Sequence, residues 1–272
     1  MQKIVIKPSK GLLNLNFNEL WEYRELLYFL TWRNIKVRYS QTIVGIAWVV
    51  IQPLLATAIF SVIFGKFLKL PSKDFPYVVV VFCAFLSWNM LANSISKAGN
   101  GLVMSRGLIT KVYFPRLLIP VAITAENLVD FCLSTVIFFI ILFLYKITLI
   151  ANLIFLPFFV LLLLMLVLGM SFWLSALDVK YRDVHHIIPF IIQIWFYSSP
   201  VAYITGIIPE KWILLYALNP IVGIIDGFRW CFLGSAKFLE FTLPISIVVT
   251  MIIFITGTIY FYKTEKTFAD II

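Results

Sequence analysis

Charged residues are scarce in this sequence, and that scarcity excludes an ordinary soluble protein. Asp, Glu, Lys and Arg make up only 13% of the 272 residues, while hydrophobic residues make up 62%. Soluble domains carry about 25% charged residues. Cysteine is also rare, and Cys83, Cys132 and Cys231 are odd in number and far apart, which excludes a disulfide framework. We therefore expect most of the chain to lie in a lipid bilayer.

Sequence motifs for chemistry are missing as well. The sequence contains no GxxxxGK[ST] phosphate loop, no zinc-type spacing of Cys and His, and no GxSxG motif. His185 and His186 are adjacent, so on a helix they point about 100° apart and would not chelate one metal together. We therefore expect no catalytic residue, no metal site and no cofactor on this chain.

Long uncharged runs are what the sequence has instead, and they predict an all-α integral membrane protein. A helix rises about 1.5 Å per residue and needs about 20 apolar residues to cross a hydrocarbon core of about 30 Å. Residues 1–272 form one membrane domain in this interpretation. We place its six transmembrane helices at residues 40–65, 75–96, 117–145, 150–177, 187–204 and 241–262.

A further apolar run, residues 212–225, is shorter and contains Pro220 and Gly223. As a helix it would reach only about 21 Å. We therefore interpret residues 205–235 as short re-entrant helices on the outer side of the membrane. The numbers of Lys and Arg on the two sides do not distinguish this model from one with a seventh span.

The distribution of basic residues predicts the orientation. In the six-helix model, 15 of the 22 Lys and Arg residues lie on the side of both termini, so the positive-inside rule places both termini in the cytoplasm. The same rule accounts for most of the net charge of +9, and we expect no nucleic-acid partner. Residues 17–32 have helical apolar spacing, which predicts an amphipathic helix in the headgroup layer; the alternative is a helix docked on a partner protein.

Glu126 and Asp130 are carboxylates inside a predicted span. They are four residues apart and so share one helix face. Ionisable groups inside a bilayer are costly and indicate function by default, for instance a proton relay. Because no cation lies inside another predicted span, we favour a structural pairing or a polar pathway lining over a relay.

Aromatic residues make up 17% of the chain. Their faces suit the C–H faces of sugars, although most are expected to be interface anchors or lipid-facing. We select Tyr39, Trp88, Tyr197 and Tyr203 as candidates for lining a substrate pathway.

Asp226 and Arg229 lie three residues apart and can pair on one helix face. A weak surface ion pair is one alternative. Gly223 and Gly227, four residues apart in the same segment, make close helix packing another.

Five segments together resemble the membrane subunits of bacterial polysaccharide exporters in the ABC-2 type permease superfamily. They are RNIKVRYSQTIVGIAWVVIQP, KVYFPRLLIP, DVKYRDV, SSPVAY and LYALNPIVGIIDGFRW, and the resemblance runs over nearly the whole chain. The O-antigen exporter permeases are the most similar group, alongside capsule and teichoic acid exporters. The resemblance implies a homodimer in the bacterial inner membrane, docked to two copies of a cytoplasmic ATPase that binds ATP and Mg.

The same resemblance implies roles for individual segments. Residues 101–112 look like a cytoplasmic coupling helix, residues 178–183 like a second contact with the ATPase, and the outer helices, with Asp226 and Arg229, like a gate. The implied ATPase-coupling residues are Arg106, Lys111, Asp178, Arg182 and Asp183. An undecaprenyl-linked glycan carries an acidic pyrophosphate, which we expect Arg33, Lys36 and Arg38 to contact.

We therefore expect ATP-driven export of a lipid-linked polysaccharide, with no enzymatic activity on this chain. Two other classes stay open. A proton-coupled secondary transporter would use Glu126 and Asp130. A membrane enzyme would need a clustered acid and base, for which only Asp178 and Asp183 qualify.

Overall fold

The computed structural model describes residues 21–40, 47–69, 75–148, 150–181, 183–234, 239–266 and 268, and every regular element within them is helical. This confirms the all-α prediction. The α-helices in these residues are α1 (Arg24–Ser40), α2 (Ala47–Phe60), α3 (Tyr77–Met104), α4 (Arg106–Ile109), α5 (Leu118–Leu144), α6 (Leu156–Lys180), α7 (Val184–Tyr197), α8 (Ile213–Ala217), α9 (Pro220–Leu233) and α10 (Leu239–Glu265).

Five helical segments in the described residues are long and apolar enough to cross a membrane. They are Ala47–Phe67, Tyr77–Met104, Leu118–Leu144, Ala151–Lys180 and Leu239–Glu265. The first segment consists of α2 and a π-helical stretch, Ser61–Phe67. The fourth consists of a short 3₁₀ helix, Ala151–Phe155, followed by α6. Each overlaps one of the six runs named above.

The remaining predicted span, residues 187–204, contains a shorter helix. α7 ends at Tyr197 after 14 residues, a length of about 21 Å. Residues 198–203 turn instead, because Pro200 disfavours helical backbone at Ser199. Only part of this run is therefore helical.

The region after α7 is bent. The segments Glu210–Ala217 and Pro220–Leu233 meet at 107°, which excludes one straight span. Asn219 is extended between them, and Pro220 occupies the first turn of α9, where its missing N–H is tolerated. This geometry fits a re-entrant or broken span.

α3 is the central helix of the bundle. All but one of the residues from Val79 to Leu91 are buried, and α3 packs against α2, α5, α6, α7 and α9. α2 is the opposite case. Its buried residues, Val49, Pro53 and Thr57, recur every four positions on one face, and most of the rest of the helix is exposed.

We distinguish two ends of the helix bundle by the elements that lie there. The basic end carries α1, α4 and the turn between α6 and α7, where Leu30, Leu102, Phe114, Phe172 and Phe261 form a second apolar core. The opposite end carries the link between α5 and α6 and residues 198–220.

α6 and α10 cross at very close range. A Cβ on Gly257 would lie 2.4 Å from the carbonyl oxygen of Gly169, and a Cβ on Gly169 would lie 2.7 Å from Phe254 Cα. Only glycine permits this approach. Small residues at helix contacts are typical of membrane proteins, because they let the two backbones come close together.

Candidate functional site

Charged and polar side chains from three helices meet near the basic end. We call them the ion-pair cluster. α1 supplies Arg38 and Tyr39, α3 supplies Lys97, and α5 supplies Glu126, Asn127 and Asp130.

Arg38 binds both carboxylates of the cluster. Its Nη1 lies 3.3 Å from Glu126 Oε1 and also donates to Asp130 Oδ2. The Tyr39 hydroxyl donates to the other oxygen of Asp130. Burial, together with this hydrogen bond to a carboxylate, raises the pKa of Tyr39, so its phenol stays protonated and remains a donor.

Lys97 approaches Glu126 from the other side. Its Nζ lies 2.5 Å from Glu126 Oε1 and 3.3 Å from Asn127 Oδ1. The Asn127 amide nitrogen donates to the carbonyl oxygen of Ile123 at 2.8 Å, one turn earlier on α5. Glu126 is therefore held between cations from α1 and α3.

The cluster is electrically balanced. The side chains of Glu126 and Asp130 are only 6% and 11% exposed, and a buried carboxylate costs several kcal/mol unless it is paired. Arg38 and Lys97 supply one positive charge for each. Because both negative charges are balanced by fixed cations, the geometry favours structural pairing between helices over a proton relay.

Arg38 and Lys97 were not predicted as partners of these carboxylates, because two helices extend beyond their predicted ends. α1 continues through residues 33–40 instead of ending near residue 32, so Arg38 and Tyr39 lie on a helix that packs on α5. α3 continues to Met104 instead of ending at residue 96, so Lys97 is helical. The signal that could have revealed it is the spacing of Asn89, Asn93 and Lys97, which recur every four residues.

A polar groove adjoins the cluster between α2, α3 and α5. Its volume is about 30 Å³, room for one or two water molecules. Besides Arg38 and Asp130, five side chains give it polar walls: Gln52, Asn89, Asn93, Asn127 and Ser134. The cluster thus borders a small polar space inside the bundle.

The other predicted phosphate contacts behave differently from Arg38. Arg33 and Lys36 are exposed on α1, and Arg33 donates to the Asn34 side chain at 3.3 Å. Arg38 is already engaged by two carboxylates. Its predicted role as a lipid-phosphate contact is therefore weaker than that of its two neighbours.

The predicted coupling segment is not one helix. Residues 101–104 complete α3, and α4 follows as a single turn after Ser105. Ile109 and Phe114 are buried and anchor the segment, whereas Arg106 and Lys111 are exposed. Exposed apolar side chains, Met104, Val112 and Tyr113, lie beside them, so this surface combines charge with apolar area.

Asp178 faces inward and does not belong to the exposed surface. It is 2% exposed, and its Oδ1 accepts a hydrogen bond of 2.9 Å from the His185 backbone N–H in the first turn of α7. It therefore fixes the turn between α6 and α7. Asp183 is exposed, and Arg182 lies outside the described residues.

Arg229 holds the opposite end together. It is 3% exposed and donates to the carbonyl oxygens of Val80, Val201 and Tyr203 at 3.4, 3.4 and 3.1 Å. Asp226, also buried, accepts a hydrogen bond of 2.7 Å from Thr205. Both predicted gate residues thus fasten residues 201–205 to the bundle, which excludes the surface ion pair.

The glycines beside them allow close packing, as the sequence suggested. The Gly223 backbone N–H donates to Ser246 Oγ at 3.1 Å. A Cβ on Gly227 would lie 1.9 Å from the Phe159 ring.

A polar node missed by the sequence argument joins α7 to the chain just before α9. Trp195 Nε1 donates to Asn219 Oδ1 at 2.7 Å, and Asn219 Nδ2 donates to Ser199 Oγ at 3.0 Å. The Tyr77 hydroxyl donates to the carbonyl of Ala202. Little in the sequence indicates this node, because it shows only one Asn directly before Pro220 and two aromatic residues among many others.

The four candidate pathway aromatics do not all meet at one place, although the Tyr203 hydroxyl donates to the carbonyl oxygen of Tyr197 at 3.4 Å. Tyr39 belongs to the ion-pair cluster, and Trp88 is buried, with its ring centroid 5.3 Å from that of Phe196. Tyr197 is 67% exposed. The hydroxyls of Tyr203 and Tyr216 are 2.9 Å apart.

The sequence is similar to known transport proteins over most of its length. The family model of the ABC-2 type transporter matches residues 25–233. The O-antigen export system permease protein RfbA of Myxococcus xanthus is 28% identical over 228 residues, which is 83% of this chain and 85% of that protein. Two proteins of the same name from Klebsiella pneumoniae are 26% and 28% identical over 251 and 254 residues, each alignment covering 91% of this chain and 95% of theirs.

Proposed function

Because the chain belongs to the ABC-2 type transporter family, we propose that it is the membrane-spanning permease of an ATP-driven exporter for a lipid-linked polysaccharide of the O-antigen type. The observation that carries the proposal is the similarity to three O-antigen export permeases over 83% to 91% of the chain. A chain with five to six apolar spans suits that role.

Family membership establishes the coarser features. The chain is a multi-pass membrane protein and a transport subunit, and in this family ATP is hydrolysed by a separate ABC ATPase subunit. The family implies the bacterial inner membrane. In our proposal two copies of the ATPase bind ATP and Mg, and both termini of the permease are cytoplasmic, on the side of the basic end.

Pairing of two permease copies is supported by polar side chains on exposed helix faces. Gln52 on α2, which also lines the polar groove, and Gln193 on α7 are exposed within strongly apolar helices. Lipid tails cannot satisfy an amide, so such residues favour a protein partner or an aqueous pathway. A second copy facing α2 and α7 would supply both.

The exposed surface around α4 is suited to receive the ATPase. Arg106 and Lys111 offer charge, and Met104 and Tyr113 offer apolar area. Only Ser105 separates α4 from α3. A push on α4 by a closing ATPase is therefore transmitted to the central helix of the bundle.

The lipid phosphate is expected to meet α1. Arg33 and Lys36 are exposed on this helix and Tyr28 and Trp32 form an aromatic pair beside them, with ring centroids 6.5 Å apart. Aromatic and basic side chains together suit a headgroup layer. This supports an approach of the acidic substrate end from the membrane surface.

Deletion of the gene in its native host tests the proposal. We expect loss of surface polysaccharide and accumulation of undecaprenyl-linked glycan in the inner membrane, measured by mass spectrometry of extracted lipids. Complementation with the wild-type gene restores export. Unchanged surface polysaccharide without accumulated intermediate would refute the proposal, and the composition of the trapped glycan separates O-antigen from capsule or teichoic acid.

A further inference from the structure

A second cavity, of about 370 Å³, lies at the basic end next to the ion-pair cluster. It is lined by α1, the last turns of α3 with Ser105, and the first turns of α5, and it is open on one side. Its volume falls in the range of about 300–1,000 Å³ typical of small-molecule sites. Its polar lining consists of Arg33, Asn34, Ser96, Lys97, Asn100 and Ser105.

Among the described residues, the polar lining includes two cations, Arg33 and Lys97, and no carboxylate, although Lys97 is paired with Glu126 beyond the lining. The Arg33 guanidinium donates to the neutral Asn34 amide oxygen, and it makes no ion pair with a carboxylate in the described part of the chain. A guanidinium and an ammonium are the groups that bind phosphate oxygens most strongly. The lining therefore favours an anion.

Lys97 belongs to both the cavity and the ion-pair cluster. An ammonium group has three protons, and the described residues accept two of them, at Glu126 and Asn127. The third is available to a ligand. Lys97 can therefore contact an anion while it stays paired with Glu126, so both carboxylates of the ion-pair cluster keep their cations.

The cavity also has an apolar lining. Leu30 of α1 and Ile119 and Ile123 of α5 contribute to it. A soluble anion gains nothing from such a wall, whereas a lipid phosphate can place its hydrocarbon chain there. The combination of two cations with an apolar wall distinguishes a lipid phosphate from a free phosphate.

We propose that this cavity binds the phosphate group of an anionic lipid between Arg33 and Lys97, with the adjoining hydrocarbon against Leu30, Ile119 and Ile123. The identity of that lipid as the polyprenyl pyrophosphate end of the exported glycan rests on the proposed function. A phospholipid of the bilayer offers the same chemistry. The site itself depends only on the cavity and its charges.

Native mass spectrometry of the purified permease–ATPase complex tests the site. The complex is incubated with undecaprenyl pyrophosphate, with phosphatidylglycerol, or with both, and the bound lipid is counted. We expect Arg33→Gln and Lys97→Gln each to lower lipid occupancy about tenfold, since each removes a charge-assisted hydrogen bond. Lys97→Arg keeps the charge and should retain most of the binding.

Two further variants guard against misfolding and general charge effects. Ser96 is an exposed residue on the cavity wall, so Ser96→Trp fills the cavity without touching the ion-pair cluster and should also abolish binding. Arg24→Gln removes an exposed arginine from the same helix outside the cavity and should bind lipid like the wild type. Wild-type occupancy in both Arg33→Gln and Ser96→Trp would overturn the proposal.

The lipid competition separates the two sources. Displacement of phosphatidylglycerol by undecaprenyl pyrophosphate supports a substrate site. Cavity-dependent binding of phosphatidylglycerol that the pyrophosphate cannot displace supports a bilayer lipid in the same site and overturns the link to the substrate. If gene deletion leaves export unchanged while Arg33-dependent binding persists, the proposed function fails and the phosphate site stands.

Discussion

Replacing Arg38 by Gln removes the cation that both carboxylates of the ion-pair cluster share. Glu126 keeps Lys97, but among the described residues Asp130 is left with the Tyr39 hydroxyl alone. Breaking a buried ion pair from one side costs about 3–5 kcal/mol, and we expect the lower value because the Arg38 side chain is 30% exposed. A loss of about 3 kcal/mol lowers the melting temperature by roughly 5–10 °C.

The assay is thermal unfolding of the purified complex in detergent, followed by tryptophan fluorescence. Arg24→Gln is the matched control, because it removes an exposed arginine from the same helix and should change stability by no more than about 0.5 kcal/mol. The double variant R38Q/D130N should have a higher melting temperature than R38Q, because it also removes the Asp130 charge that R38Q leaves unpaired. Equal melting temperatures for R38Q and the wild type would contradict this prediction. So would a double variant whose loss of stability equals the sum of the losses in R38Q and D130N.

Three further predictions concern other parts of the molecule. Gly257→Ala places a methyl group 2.4 Å from a backbone carbonyl oxygen of α6 and should lower the free energy of unfolding by about 1–3 kcal/mol. Gly107→Ala is the control, because a Cβ there meets nothing within 4 Å. Equal melting temperatures for the two variants would contradict the close crossing of α6 and α10. Asp178→Ala removes the acceptor for the first turn of α7 and should cost about 1 kcal/mol, whereas wild-type stability would mean that the turn holds without it. Lys111→Glu should weaken copurification of the ATPase at least about threefold through charge reversal at the proposed docking surface, while Lys66→Glu, at the opposite end, should not; equal retention by both variants would exclude that surface.

Hydrophobic runs allowed most of the fold to be predicted. Each of the five long spans overlaps a predicted run, because hydropathy is a local property that survives whatever packs around it. Helix ends were predicted less well. α3 passes residue 96 and continues to Met104, because the span was predicted from an uncharged run that stops at Lys97.

The candidate site divides in the same way. Glu126 and Asp130 were found from the sequence because two carboxylates stand out in an apolar run. Their partners were not, since Arg38 and Asp130 are separated by 92 positions along the chain. Nothing in local spacing reports which distant cation reaches a carboxylate.

The sequence by itself determined that this chain crosses the membrane several times and which family it resembles. These follow from composition and order along the chain. The tertiary structure alone decided that Arg38 and Lys97 neutralise the buried carboxylates, that Asp178 faces inward, and that Arg229 fastens the segment after α7. The physical reason is that a charge inside the bilayer must be paired, and only the packing of helices selects the partner.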